Sequence, residues 1–280
     1  MRFERDAKTL ATKVYDDDGR RVCLLCGTHD GPFEDDHEPA DWYVTFAARM
    51  EPIEGGRVTY NDVPIGTGQL TMKGYVTIEM CAKCNRWLGA TLETPDEIKY
   101  VIMQLVTGAR SLTELTSEQR RNAARWIVKT EMLWDVAIRH HPWPLPTLQF
   151  LRATGDLPMG THVWIGQIAA EAVGGPTPQN LEPKPELLGC FPVPWGCWWV
   201  SGKRHHLRFL IADDPGGLGK GTIGLPVELG RRFMRVWPPH EGVLDWPPPV
   251  VIDRPTNEAL GTVFRVVDPW PVDNGPEDAT

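Results

Sequence analysis

The sequence predicts an α+β fold, because signals for helices and signals for strands occupy separate parts of the chain. Two Cys-x-x-Cys pairs lie in the N-terminal part, a long segment with helical periodicity fills the middle, and short apolar segments bounded by turns follow it. We therefore expect a cysteine-stapled module over 1–110, a helical region with a following strand over 111–173, a Pro/Gly-rich linker over 174–186, a β-rich region over 187–267 and a disordered acidic tail over 268–280.

The composition is that of a globular protein, with 41% hydrophobic and 24% charged residues in a chain of 280. The first residues, Met-Arg-Phe-Glu-Arg-Asp, lack the apolar core of a secretory signal. No apolar run approaches the ~18 residues that span a bilayer. We therefore expect a cytoplasmic protein with reduced thiols and no membrane contact.

The charge of the chain narrows the kind of nucleic-acid contact that it can make. A net charge of −8 argues against a protein that coats nucleic acid nonspecifically, because such proteins are basic overall. It does not exclude a nuclease, whose contacts with DNA can be local and bridged by a divalent cation.

The N-terminal module is predicted to alternate short strands with long loops. Val22–Gly27 reads as a strand that runs into a tight turn, which Gly27 permits. Tyr75–Ile78 alternates polar and apolar residues and predicts a second strand. The rest is expected to be a lead-in over 1–15, a polar loop over 28–41, an excursion over 50–70, a helix from Cys84 to about Leu92 and a helix over Asp96–Thr107.

The middle of the chain carries the strongest helix signal, over Ser117–His141. Thr116 and Gln119 have the spacing of a capping box, and apolar residues recur at three- and four-residue steps after it. Beyond it we expect strands at Thr161–Ile168, Cys197–Val200, Leu207–Ala212, Phe233–Trp237 and Thr262–Val267, with a hairpin turn at Lys203–His206.

Four cysteines, Cys23, Cys26, Cys81 and Cys84, form the two Cys-x-x-Cys pairs. A thiolate quartet matches the tetrahedral preference of Zn²⁺, and each pair follows a strand-like segment, so we expect one structural zinc ion. Unrelated buried cysteines or a redox pair are the alternatives. Two further residues, Cys190 and Cys197, have apolar neighbours and are expected to lie in the core.

A second group of residues lies between and after the cysteine pairs. Asp35-Asp36-His37-Glu38-Pro39 is followed by Trp42, and Asn85 comes directly after Cys84, with Trp87 and Leu92-Glu93 beyond it. Over about residues 20–95 this arrangement resembles the HNH, or ββα-metal, endonucleases, and most closely a bacterial and phage subgroup. The resemblance implies an HNH-like ββα module in a bacterial cell or a phage-infected host.

The resemblance also implies roles for individual residues. His37 would be the general base, Asp36 a ligand of a catalytic Mg²⁺ or Mn²⁺, and Asn85 the residue that orients His37. Leu88 and Gly89 stand where many members have a further His or Asn ligand, so Glu93 is the candidate substitute. The proline also falls two residues after His37, where the family usually has three.

Basic residues elsewhere are candidates for contact with DNA phosphates. Arg121, Arg125 and Lys129 recur at four-residue steps on the predicted long helix, and Lys203 and Arg204 lie at the predicted hairpin turn. The alternative for the helical row is a solvated polar face. Trp195, Trp198 and Trp199, with Phe191, are candidates for base stacking or for a β core.

Together these features predict a metal-dependent HNH-type endonuclease that cleaves DNA phosphodiester bonds. The alternative is a noncatalytic zinc-binding interaction protein, a phage or bacterial accessory factor on the same scaffold. In that case the Trp-rich second half would bind another protein.

Overall fold

A computed structural model describes residues 1–6, 11–38, 40, 42–43, 58–60, 63–66, 76–107, 115–139, 145–169, 172, 198–204, 207–213, 225, 227–238, 246 and 248–266. At 37–38, 58–60, 63–66, 76, 107, 138–139, 198–204, 227–228 and 261–266 the description covers the backbone alone. The predicted linker over 174–186, the acidic tail over 268–280, and Cys190 and Cys197 lie outside the described residues.

The first sheet has four strands in the order β1-β2-β6-β3. Strand β6 pairs in parallel with β2 and antiparallel with β3, while β1 pairs antiparallel with β2. The strands are β1 at Arg2–Arg5, β2 at Ala11–Tyr15, β3 at Phe33–Glu38 and β6 at Val76–Cys81. A separate hairpin joins β4 at Val58–Tyr60 to β5 at Val63–Gly66.

Three N-terminal predictions are wrong. The expected lead-in over 1–15 contains β1 and β2, because the side chains of Ala11 and Val14 are buried in the core. The expected loop over 28–41 contains β3, which pairs with β6 along its whole length, from Phe33 opposite Cys81 to Glu38 opposite Val76. The strand predicted within Val22–Gly27 is also absent, and the nearest pairing is an isolated bridge between Tyr15 and Arg21. The strand expected at Tyr75–Ile78 is confirmed as β6.

The helical elements begin directly after β6 and continue into the C-terminal part of the chain. The expected helix after the second cysteine pair is confirmed, but it ends in a π-helical turn at Gly89–Glu93. The prediction over Asp96–Thr107 is confirmed residue for residue. The helices are α1 at Ala82–Leu88, α2 at Asp96–Thr107, α3 at Ser117–Arg139, α4 at Leu145–Thr154, α5 at Val227–Gly230 and α6 at Arg254–Val266.

Helix α3 forms the centre of the molecule and contacts strands of both four-stranded sheets. The predicted capping box starts it: the Thr116 N–H donates to Gln119 Oε1 at 2.9 Å, and the Gln119 N–H donates to Thr116 Oγ1 at 3.2 Å. Burial extends around nearly its whole circumference between Ala123 and Ala137, whereas the sequence suggested a single apolar face. A helix packed on both sides has little solvated surface.

The second sheet is antiparallel, in the order β10-β7-β9-β8. Its strands are β7 at Thr161–Gln167, β8 at Trp198–Arg204, β9 at Leu207–Asp213 and β10 at Met234–Trp237. Arg204 pairs with Leu207, so β8 and β9 form the predicted hairpin. Strand β7, before the predicted linker, lies between β9 and β10, which follow it.

One C-terminal element is predicted with the wrong type. A strand was expected at Thr262–Val267, but the described part of this segment, which ends at Val266, belongs to α6. The helix starts upstream, where Asp253 Oδ1 accepts the N–H of Thr256 at 2.9 Å as an N-cap. No helix in the described part of the chain is both long enough and apolar enough to cross a lipid bilayer.

Candidate functional site

The four predicted cysteines converge. Cys23 and Cys26 lie in the turn between β2 and β3, Cys81 is the last residue of β6, and Cys84 is in the first turn of α1. Their sulfur atoms all lie within 4.8 Å of one another, and Cys26 Sγ is 3.7 Å from Cys81 Sγ. Cys26 is exposed, whereas the other three are buried.

The spacing of the sulfurs fits a metal ion. Zn–S bonds of about 2.3 Å in a tetrahedron place neighbouring sulfurs about 3.8 Å apart. The 3.7 Å between Cys26 Sγ and Cys81 Sγ agrees with that edge and is far longer than a disulfide bond of about 2.05 Å. The alternative of four unrelated cysteines is therefore wrong, and the cluster can hold one metal ion.

The backbone of the first pair forms a knuckle. The Gly27 N–H donates to the Cys23 carbonyl and the Cys23 N–H donates to the Thr28 carbonyl, each at 2.8 Å. Gly27 has φ +71, the left-handed region in which a Cβ is unfavourable. The conformation that the sequence predicted for Gly27 is confirmed.

Hydrogen bonding inside the cluster shifts the thiol pKa values in opposite directions. The Cys84 thiol donates to Cys23, and with backbone N–H groups this lowers the pKa of Cys23 to about 4. The same hydrogen bond, and then burial, raises the pKa of Cys84. Burial raises the pKa of Cys26. Because zinc binds thiolates, a bound ion would displace the protons of the thiols.

Two side chains from α4 contact the cluster, and the sequence did not predict them. Arg152 Nε donates to Cys84 Sγ at 3.3 Å, and its guanidinium carbon lies 4.8 Å from the ring centroid of Trp87. Gln149 Nε2 donates to the Leu24 carbonyl at 3.2 Å. The sequence does contain a signal for this helix. Leu145, Leu148 and Leu151 recur at three-residue steps, and the proline lies in the first turn, where helices tolerate it.

The acidic strand β3 faces α1 next to the cluster. Asn85 Nδ2 donates to Glu34 Oε2 at 3.0 Å. Asp36, two residues later on the same face of the strand, is buried at 7% exposure. His37 lies in β3 with its backbone opposite Thr77, and its side chain is outside the described residues. Glu34 is a partner of Asn85 that the sequence did not predict.

Glu93, the candidate substitute ligand of the catalytic cation, forms an ion pair with a lysine. It lies at the end of the π-helical turn, and its Oε1 accepts a charge-assisted hydrogen bond from Lys129 Nζ on α3. Lys129, which the sequence suggested as a phosphate contact, has 0% side-chain exposure and lies inside the core. The pair ties the end of the π-helical turn to the central helix.

The remaining cations of the predicted helical row also have protein partners. Arg121 donates to both oxygens of Asp156, at 3.2 and 2.7 Å. Arg125 donates to Asn122 Oδ1 at 3.2 Å, and burial lowers its pKa. The row therefore combines a partly exposed arginine, Arg121, with the buried Lys129, and each of its three side chains has a protein partner. For Lys203 and Arg204 the description covers the backbone of β8 alone.

Among the residues whose side chains are described, one cluster of His, Cys, Asp or Glu has the spacing of a metal site, and it consists of the four cysteines. Phe191 and Trp195 lie outside the described residues, and Trp198 and Trp199 are described only as backbone in β8.

Comparisons of the chain with protein-family models, with curated proteins and with solved structures found no match.

Proposed function

We propose that Cys23, Cys26, Cys81 and Cys84 bind one Zn²⁺ ion with a structural role. Four thiolates favour zinc among the abundant divalent ions. All four positions of the tetrahedron are filled by protein sulfurs, which is the pattern of structural zinc sites, since catalytic sites keep one position open. The ion would fasten the turn between β2 and β3 to the junction of β6 and α1.

We propose further that this zinc-stapled module is an HNH-type endonuclease acting on DNA. The observation that carries the proposal is the hydrogen bond from Asn85 to Glu34, which holds the residue after the second cysteine pair against the strand that contains Asp36 and His37. Strand β3, strand β6 and helix α1 also follow the strand–strand–helix order that the resemblance implies.

In this proposal each residue has a separate role in the cleavage reaction. Asp36 would hold Mg²⁺ or Mn²⁺ through its carboxylate, and the cation would neutralise charge on the scissile phosphate. His37, as a neutral imidazole, would take a proton from the attacking water. Asn85 would fix the helix relative to β3 through Glu34, so its effect on His37 is one of positioning. Glu93 has no part, because it pairs with Lys129.

The test is nicking of supercoiled plasmid with Mg²⁺ or Mn²⁺. Native protein should nick the plasmid, and His37→Ala should lower the rate by about 10²–10⁴-fold with unchanged zinc content. His29→Ala is the matched control, since this exposed histidine contacts the Arg21 carbonyl in the knuckle region. Equal rates for native protein and His37→Ala would assign the activity to another site or to a contaminant.

A noncatalytic zinc-binding interaction protein is the second candidate. It is favoured by the engagement of Glu93 with Lys129 and of Arg121 with Asp156, which removes groups that a nuclease would use. Fluorescence anisotropy with labelled DNA separates the two candidates. No DNA binding at low salt with Mg²⁺ present, together with no nicking by fully zinc-loaded protein, would favour this second function.

A further inference from the structure

Helix α4 contacts both cysteine knuckles at once. Gln149 donates to the backbone carbonyl of Leu24, between the ligands of the first pair. Arg152, three residues later and therefore on the same side of the helix, donates to a ligand of the second pair, Cys84. The two contacts join segments that are 125 and 68 residues apart in the chain.

We propose that Gln149 and Arg152 form an outer clamp on the metal centre, with Arg152 as the positioning residue that strengthens zinc binding. The inference rests on the zinc part of the proposed function and is independent of nuclease activity. Groups that hydrogen-bond to metal ligands hold them in place and tune their donor strength.

The physical reason is charge. Zn²⁺ with four thiolates carries a net charge of about −2, and three of the four cysteines are buried. A guanidinium donating to Cys84 Sγ offsets part of this charge and fixes the direction of the sulfur lone pair. Trp87, in the same helix as Cys84, lies against that guanidinium and limits its motion.

The clamp also links the metal centre to the second sheet. Thr147, in the first turn of α4, donates to Asp213 at the end of β9. Thr161, at the start of β7, donates to the other oxygen of Asp213 at 2.7 Å. Asp213 has 0% exposure, so these hydrogen bonds lie in the interior. Helix α4 therefore connects the zinc ligands to β7 and β9.

The test is competition for zinc between the full-length protein and a chromogenic chelator. A cleft of about 410 Å³ beside Cys26, lined by Gly27, Gln149 and Arg152 among others, gives the chelator access. Arg152→Met keeps an apolar stem over Trp87 but removes the donor and the charge. It should weaken zinc binding by about 10–100-fold. Cobalt substitution should still give the charge-transfer absorption of four thiolates.

Matched variants separate the clamp from general packing. Arg231→Met, at an exposed arginine beyond α5, should bind zinc like native protein. Arg152→Lys should recover much of the affinity, because an ammonium restores the charge and a donor. Zinc affinity in Arg152→Met equal to that in Arg231→Met, or Arg152→Lys as weak as Arg152→Met, would overturn the proposal.

A variant on the other knuckle keeps the proposal testable if Arg152→Met does not fold. Gln149→Leu removes the contact with the first knuckle without a change of charge and should also weaken zinc binding. Native zinc affinity in Gln149→Leu would then overturn the clamp. Native protein that binds no zinc at all would instead refute the structural zinc site itself.

Discussion

Replacing Lys129 by methionine removes a positive charge from the interior of the molecule. The Lys129 side chain has 0% exposure and that of Glu93 has 16%, and the two form an ion pair between α3 and the π-helical turn. Methionine has a similar length and no charge, so the substitution leaves the Glu93 carboxylate without this partner and creates little empty space.

The expected cost follows from the burial of both groups. Breaking a buried ion pair by removing one partner costs about 3–5 kcal/mol, because the remaining charge stays desolvated. Since Glu93 keeps some solvent contact, we expect a value near the lower end. With an m value of about 3 kcal/mol/M, this lowers the urea midpoint by roughly 1 M. The double variant Lys129→Met/Glu93→Leu should recover most of the loss, because neither charge of the pair is left without its partner.

The assay is urea unfolding of zinc-loaded protein at a fixed free zinc concentration, since metal release would otherwise contribute to the transition. Lys99→Met is the control: Lys99 pairs with exposed Asp96 at 3.8 Å and should cost less than about 1 kcal/mol. If Lys129→Met costs no more than Lys99→Met, the buried ion pair does not stabilise the fold as described. The same holds if the separate costs of Lys129→Met and Glu93→Leu simply add in the double variant.

Three further predictions concern the metal centre and the C-terminal helix. Cys81→Ser should lose the one equivalent of zinc expected in native protein and unfold the N-terminal module, as measured by metal analysis and circular dichroism; full zinc content would contradict the ligand assignment. Gly27→Ala places a Cβ at φ +71 and should cost roughly 1–2 kcal/mol in urea unfolding, whereas an unchanged midpoint would contradict the strain. At Asp253, burial raises the pKa, but hydrogen bonds from Thr256 and the charge of Arg232 outweigh it and lower the pKa below its ordinary value of 3.8. This stabilisation is present above pH 3.8 and is lost as the pH falls through the lowered pKa, so Asp253→Asn should remove that part of the acid dependence in urea midpoints; an identical dependence in both proteins would refute it.

The elements that could be predicted from the sequence are those whose signals are local. The capping box of Thr116 and Gln119 involves neighbouring residues, and its two hydrogen bonds form as predicted. Helix α2 has an acidic first turn, with Asp96 and Glu97, and its bounds were predicted residue for residue. The cluster of four cysteines could be predicted because each Cys-x-x-Cys pair brings two sulfur atoms together by its own turn geometry.

The elements that were missed depend on partners far away in the chain. Strand β3, Phe-Glu-Asp-Asp-His-Glu, has no apolar alternation, and only pairing with β6 makes it a strand. The C-terminal part of α6 is rich in β-branched residues and therefore resembles a strand in sequence. The helix begins before this part, with an N-cap at Asp253 and an ion pair between Arg254 and Glu258 in its first turns. Local propensity is overridden in both cases.

The same distinction applies to the candidate site. Lys129 has the helical spacing of a solvated row, and nothing local reveals that α3 is packed by both sheets. Glu93 as its partner, and Arg152 as the partner of Cys84, are contacts between segments 36 and 68 residues apart. A sequence pattern can identify ligands that one turn brings together, but the groups around them are set by tertiary packing.

These internal pairings bear on how the chain would bind DNA. Its net charge is −8, and Arg21, Lys129 and Arg121 are each held by an acidic residue of the protein. Cations that stay paired with protein carboxylates neutralise few phosphates, so few counterions leave the DNA and the salt dependence of binding stays small. A nuclease on this scaffold would therefore depend on the divalent cation at Asp36 and on the Lys203–Arg204 segment for most of its attraction. Its DNA affinity should then respond strongly to Mg²⁺ and weakly to Arg121→Gln.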